Sequence, residues 1–126
     1  MLTEQTTINQ LKFAIQALSL EAEGQRASFP EFVAVTDELL LEFDHWRNVA
    51  VVNYPNYFSA EQLRILNEID TFIDKYELDN PNMPIADELK KSLFWRDLRV
   101  LAKEALTKFG WKSELPPDNR VTYVKG

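Results

Sequence analysis

The sequence contains no cysteine, one histidine and only three glycines. Without cysteine, disulfides, thiolate nucleophiles and cysteine-ligated metal sites are excluded. The glycines, Gly24, Gly110 and Gly126, are too scattered to form a phosphate-binding loop. No apolar run approaches the ~18 residues that a membrane-spanning helix needs, and the first ten residues lack the features of a signal peptide. We therefore expect a cytoplasmic protein that has no membrane partner.

The scarcity of histidine restricts catalysis in the same way. Glu42 and His45 form the Glu-x-x-His pair of di-iron helical bundles, and Glu38 would add a third ligand on the same helix, but that chemistry needs a second such pair. Carboxylate pairs such as Asp70 and Asp74 are typical of the solvated face of a helix. We expect no enzyme activity, no cofactor and no metal, and a metal-dependent enzyme is the weakest alternative.

What the chain does have is helical periodicity. The most regular stretch is residues 89–109, in which the apolar residues recur at the i, i+3, i+4 spacing of a buried helix face. These residues are Phe94, Trp95, Leu98, Leu101, Ala102, Ala105, Leu106 and Phe109. Gly110 follows and is well suited to end the helix in a left-handed conformation.

Three further segments show the same periodicity. The sequence predicts helices over about 4–22, 29–52, 60–76 and 85–109, followed by a tail over 110–126 that Trp111 anchors. Gly24 would end the first helix, Ser28 with Glu31 and Ser59 with Gln62 would form capping boxes, and a bend near Ser92 is compatible with the fourth helix.

A chain of 126 residues is long enough for one domain with its own core. We therefore expect a single all-α domain over residues 1–126. Its simplest architecture is a four-helix, up-down-up-down bundle with an irregular C-terminal tail, because short connections favour antiparallel neighbours. An irregular helical arrangement is the alternative, because the second and fourth helices are longer than the other two.

Charge is unevenly distributed along the chain. The net charge is −6, but residues 1–88 carry 16 acidic and 5 basic residues and residues 89–126 carry 4 acidic and 9 basic residues. The first part would repel a phosphate backbone and attract a basic protein, so the balance argues against nucleic acid. The alternative is that the basic fourth helix neutralises the acidic helices inside the domain.

The acidic residues and the aromatic linker over 53–58 suggest a protein-binding surface, in which aromatic side chains anchor a partner and carboxylates steer it. The candidate residues lie on the second helix, in the linker, and on the third helix and its exit: Asp37, Glu38, Glu42, Asp44, Tyr54, Tyr57, Phe58, Asp74 and Glu77. The alternative is that Tyr57 and Phe58 pack under the bundle and that the acids only keep the protein soluble.

Two segments carry a resemblance to a known class of proteins. They read DELLLEFDHW at 37–46 and FWRDLRVLAKEALTKFGW at 94–111. Together with its size and acidity, they make the chain similar to the small immunity proteins of bacterial toxin–immunity systems. The resemblance implies a non-catalytic cytoplasmic domain that binds and blocks one toxin.

A structural or regulatory homo-oligomer is the main alternative function. The apolar residues outside the predicted buried stripes would then form a self-interface, since exposed apolar patches often mark contacts. These residues are Leu40, Leu41, Leu89, Leu93 and Val100.

Overall fold

The computed structural model describes residues 3–27, 34–76 and 85–117, and these residues form an all-helical structure. The helices are α1 (Glu4–Ser19), α2 (Ala22–Ala27), α3 (Val35–Asn53), α4 (Ala60–Ile73), α5 (Ile85–Lys91) and α6 (Leu93–Phe109), with a 3₁₀ turn at Pro55–Tyr57. The all-α class predicted from the sequence is confirmed for these residues. None of the helices in the described ranges is long and apolar enough to span a membrane.

The core lies between the four longer helices. α1 packs against α3 and α6, and α6 also packs against α4. α3 and α4 are joined by an ion pair between Arg47 and Asp70, whose closest atoms are 2.8 Å apart. The largest fully buried side chains are Trp95 of α6 and Phe43 of α3. The predicted stripe of α6 is confirmed, since each of its eight residues is buried or half-buried.

The first predicted helix is shorter than expected. The structure ends α1 at Ser19, gives Leu20 an extended conformation and places Gly24 inside α2, so the prediction that Gly24 ends the helix is wrong. The physical reason is a buried amide: Gln25 Nε2 donates to the carbonyls of Ala17 and Leu18 at 3.3 and 3.0 Å. These bonds provide a partner for the Leu18 carbonyl and a second one for the Ala17 carbonyl, which also accepts from the Leu20 amide at 3.4 Å.

The second predicted helix also has different bounds. Ala34 is extended, so α3 begins at Val35, without a side-chain cap, and does not continue from residue 29. The proposed capping box of Ser28 and Glu31 lies outside the described residues. The predicted helix over 60–76 is correct at its start, where Ser59 Oγ accepts from the Gln62 amide at 3.1 Å, but α4 ends at Ile73.

The fourth predicted helix is divided at Ser92, whose extended backbone separates α5 from α6. Gly110 ends α6 with a φ of 70°, as predicted. Trp111 then stacks on Phe109 with 4.2 Å between ring centroids and is partly buried against the core. Residues 111–117 form neither helix nor strand, and the rest of the predicted tail lies outside the described residues.

Candidate protein-binding surface

The helix α3 has one buried face and one exposed face. Val35, Leu39, Phe43 and Ala50 are buried in the core. The exposed side carries a second set of residues at spacings of four, three, four and four, which places them along one line of the helix. This set defines the outer face of α3: Asp37, Leu41, Asp44, Asn48 and Val52, all of which are exposed.

The outer face exposes aliphatic surface beside carboxylates. Leu41 and Val52 are 60% and 76% exposed. A single exposed aliphatic residue is ordinary, but two on one line with acidic residues form a mixed surface of the kind that protein interfaces use. Tyr57, in the 3₁₀ turn that follows α3, adds an aromatic side chain that is 44% exposed.

The carboxylates of the outer face are not neutralised by their own helix. The one Lys or Arg in α3 is Arg47, whose Nη2 donates to Asp70 of α4 at 2.8 Å. Asp37 also lies in the first turn of α3, where a negative charge stabilises the helix dipole. Asp37 therefore has a structural role in addition to any part in binding, whereas Asp44 lies too far from the helix start for that effect.

The structure separates the predicted acidic residues into different places. At 100° per residue, Glu38 and Glu42 lie 180° and 140° around α3 from Arg47, on the flank that faces away from α4. Both are half-buried and already interact with other groups of the chain. Asp74 is exposed on α4, one turn after Asp70 and so on the side nearer α3. Glu77 lies outside the described residues.

Of the three aromatic residues in the linker, Phe58 alone belongs to the core. Phe58 is 8% exposed and contacts Phe109 edge-on, with 6.0 Å between ring centroids. Tyr57 contacts Phe58 edge-on at 5.2 Å. Tyr54 is half-buried, interacts within the chain, and its amide donates to the carbonyl of Ala50 at 2.8 Å. Of the three linker aromatics, Tyr57 exposes the most surface to a partner.

The histidine region shows no metal-binding geometry. His45 is exposed and contacts the Trp46 ring edge-on at 4.7 Å between centroids. Across residues 3–27, 34–76 and 85–117, no three His, Cys, Asp or Glu residues are grouped so that they would hold a metal ion.

Two buried polar contacts were not indicated by the sequence. Tyr76 donates its hydroxyl to the buried carboxylate of Glu88, which ties the end of α4 to α5. Burial raises the pKa of the Tyr76 phenol, and the hydrogen bond and charge of Glu88 raise it further. The apolar periodicity of the sequence does not indicate that Tyr76 and Glu88 would pair.

The second contact is made by Arg99, a buried residue of α6. Its guanidinium donates to the carbonyls of Leu20 and Leu89 and to Oε1 of Gln25. Burial lowers the pKa of Arg99, and the charge of Glu21 opposes that shift. The arrangement holds α2 and α5 in place rather than presenting a charge to solvent.

Comparisons with known proteins found no relative of this chain. No protein-family model matches the chain, and no curated protein or solved structure matches it either. Exposed aliphatic and acidic side chains occur together on the outer face of α3 and also along α6, at Leu93, Asp97, Val100 and Glu104. On α6, however, Asp97 is paired with the neighbouring Arg96 at 3.2 Å.

Proposed function

We propose that this chain is a non-catalytic protein-binding module that binds a basic protein through the outer face of α3. The observation that carries the proposal is the exposure of Leu41 and Val52 on the same line as Asp37 and Asp44. Aliphatic side chains stabilise a complex by leaving water, and unpaired carboxylates steer a basic partner. Tyr57 and Asp74 lie beyond this line and would extend the contact.

The basic partner we propose is a toxin domain, which makes the chain an immunity protein that acts in the cytoplasm. The resemblance of residues 37–46 and 94–111 to immunity proteins supports this assignment. Its physical basis is that a nuclease toxin carries basic residues to bind phosphate, so an acidic protein associates with it rapidly and covers those residues. The net charge of −11 on residues 1–88 is suited to that role.

We also infer the predicted up-down-up-down arrangement of the four longer helices. Contacts at their ends support it: Lys108, at the end of α6, lies 3.6 Å from Glu61 in the first turn of α4, and Tyr76, just after α4, packs against Phe94 at the start of α6. These contacts indicate that α4 and α6 are antiparallel. In such a bundle each helix keeps one face in solvent, as α3 does.

The test is a charge reversal with a control of equal charge and spacing. Asp37→Lys with Asp44→Lys reverses two exposed carboxylates seven residues apart on α3. Asp97→Lys with Glu104→Lys makes the same change on exposed residues of α6, also seven apart. Tagged wild-type and variant proteins would be used to recover partners from the native host at low and high salt, with mass spectrometry as the readout.

We expect one basic protein at near 1:1 ratio with the wild-type and α6 variants, and its loss with the α3 variant. With the purified partner, the α3 variant should associate at least about tenfold more slowly at low salt, because electrostatic steering depends on salt and on local charge. Equal association rates for the two variants would contradict the proposed surface. Unchanged growth of cells that express the partner with the α3 variant would contradict the immunity assignment.

A homo-oligomer is the second candidate, and α6 carries the observation that favours it. Leu93 and Val100 are each 62% exposed and lie two turns apart on α6. The self-interface predicted from sequence has fewer residues available, because Leu89 is fully buried and Leu40 is half-buried against the core. A solution mass of one chain at high micromolar concentration would contradict this candidate, and Leu93→Glu with Val100→Glu should dissociate any dimer that forms.

A further inference from the structure

The acidic and the aliphatic residues on the outer face of α3 are each separated by a regular interval. Asp37 and Asp44 are seven residues apart, which is about 10.5 Å along a helix axis at 1.5 Å per residue. Leu41 and Val52 are eleven residues apart, which is about 16.5 Å. At 100° per residue both intervals return to nearly the same side of the helix, so the four side chains project in similar directions.

An extended partner segment does not match these intervals. A strand advances about 3.3 Å per residue, so 10.5 Å corresponds to about three residues and 16.5 Å to about five. Side chains an odd number of residues apart point to opposite faces of a strand. An extended segment lying along α3 would therefore turn one basic residue, or one apolar residue, away from the surface.

A helix lying along α3 matches both intervals because it has the same rise and the same angular repeat. Basic residues seven apart would face Asp37 and Asp44, and aliphatic residues eleven apart would meet Leu41 and Val52. Asn48 lies between Asp44 and Val52 on this face, and a polar residue in a helix–helix contact favours one register over others.

We propose that the partner binds the outer face of α3 with a basic amphipathic helix. This inference rests on the proposed function and adds to it the secondary structure and residue spacing of the partner. Charge and spacing together support this occupant: the carboxylates of Asp37 and Asp44 are complementary to basic residues, and the distances match helical periodicity. Side chains at i, i+3, i+4 and i+7 of the partner helix would form the contact.

Two synthetic peptides of about 22 residues provide the probe. The first has leucine and lysine on one helical face, with lysines seven apart and leucines eleven apart, and alanine and glutamine elsewhere. The second has the same composition in an order that gives no apolar face. Because both have the same charge, a difference in binding reports the helical face and not charge alone. Isotope-labelled protein would be titrated with each peptide at low salt and followed by amide chemical shifts.

We expect the first peptide to bind at least about tenfold more tightly than the second and to shift amide signals along the outer face of α3. Leu41→Asn should weaken binding of the first peptide at least about tenfold, because it removes an apolar contact of the kind that contributes most to interface stability without changing the charge of the face. Leu93→Asn on α6 is the matched control, since Leu93 is 62% exposed and Leu41 is 60% exposed. This control should leave binding unchanged.

Three outcomes would overturn the inference: equal binding of the two peptides, no binding of either, or shifts centred on another helix. Equal binding would leave the proposed function standing, because charge alone would then explain attraction of a basic protein. The proposed function fails on a different result, namely recovery of the partner that is insensitive to charge reversal at Asp37 and Asp44. The two failures are therefore distinguishable.

Discussion

Replacing Arg99 by methionine should destabilise the fold more than any change to an exposed arginine. The guanidinium of Arg99 connects three segments: its Nε donates to the carbonyl of Leu20 at 2.9 Å, its Nη2 donates to Oε1 of Gln25 at 2.7 Å, and Nη2 also donates to the carbonyl of Leu89. Methionine keeps most of the buried aliphatic stem but leaves all three acceptors without this donor.

The magnitude follows from the acceptors that lose their donor. Each buried acceptor left unsatisfied costs about 1–3 kcal/mol. Part of that cost is offset, because the variant no longer buries a cation away from water. For three acceptors we expect a loss of about 3 kcal/mol in the free energy of unfolding, which corresponds to a decrease of roughly 10 °C in Tm for a domain of this size.

Urea unfolding followed by circular dichroism would measure the loss, and Arg96→Met is the control because the Arg96 side chain is 65% exposed. The control should change stability by less than about 0.5 kcal/mol. Amide hydrogen exchange gives a second readout, since loss of Arg99 should increase exchange in α2 and α5 before it affects α4. Equal stability of the Arg99 and Arg96 variants would refute the view that Arg99 holds these short helices.

Three further changes test local features. Ser59→Ala should lower the free energy of unfolding, measured by thermal unfolding, by about 1 kcal/mol because it removes the capping box of α4. Ser92→Ala is the control and should change it little, because Ser92 makes no side-chain cap bond at the start of α6; equal losses would contradict this. Gly110→Ala should cost about 1 kcal/mol because φ is 70° there, and a neutral result would show that α6 can end differently. Tyr76→Phe should lower stability below pH 10. Because the folded state raises the pKa of Tyr76, the unfolded chain loses the phenolic proton above pH 10 while the folded protein retains it, and the stabilisation is lost as pH rises. The difference in free energy of unfolding between wild type and Tyr76→Phe should therefore narrow above pH 10. The same narrowing for Tyr57→Phe would contradict the assignment to Tyr76.

The parts of the fold that the sequence predicts correctly are those set by local chemistry. The stripe of α6 follows from periodicity, and its end follows from Gly110, which has the left-handed backbone conformation expected there. The start of α4 follows from Ser59 and Gln62, whose side chains and amides bond reciprocally at 3.1 and 2.9 Å. Each of these features involves residues within about one helical turn, so a linear pattern contains all the information needed.

The wrongly predicted end of the first helix depends on tertiary contacts. The break between α1 and α2 at Leu20 is stabilised by Arg99, which lies 79 positions later. Helical pattern continues through this break, because Ala17, Leu18 and Ala22 are all compatible with one longer helix. The prediction that Gly24 ends the first helix is wrong for the same reason: a glycine is tolerated inside a helix when tertiary contacts stabilise the surrounding turn.

The candidate surface shows the same division between local pattern and tertiary contact. The sequence predicted that acidic and aromatic residues form one surface near the linker, but Phe58 packs in the core against Phe109. Glu38 and Glu42 are half-buried and interact within the chain. The sequence predicted Leu41 as part of a possible self-interface and not as part of an acidic surface. Once α1 and α4 cover the other sides of α3, Leu41 and Val52 remain exposed beside Asp37 and Asp44. Tertiary contacts decide which residues of α3 meet solvent, so a linear pattern could not identify this combination of exposed side chains.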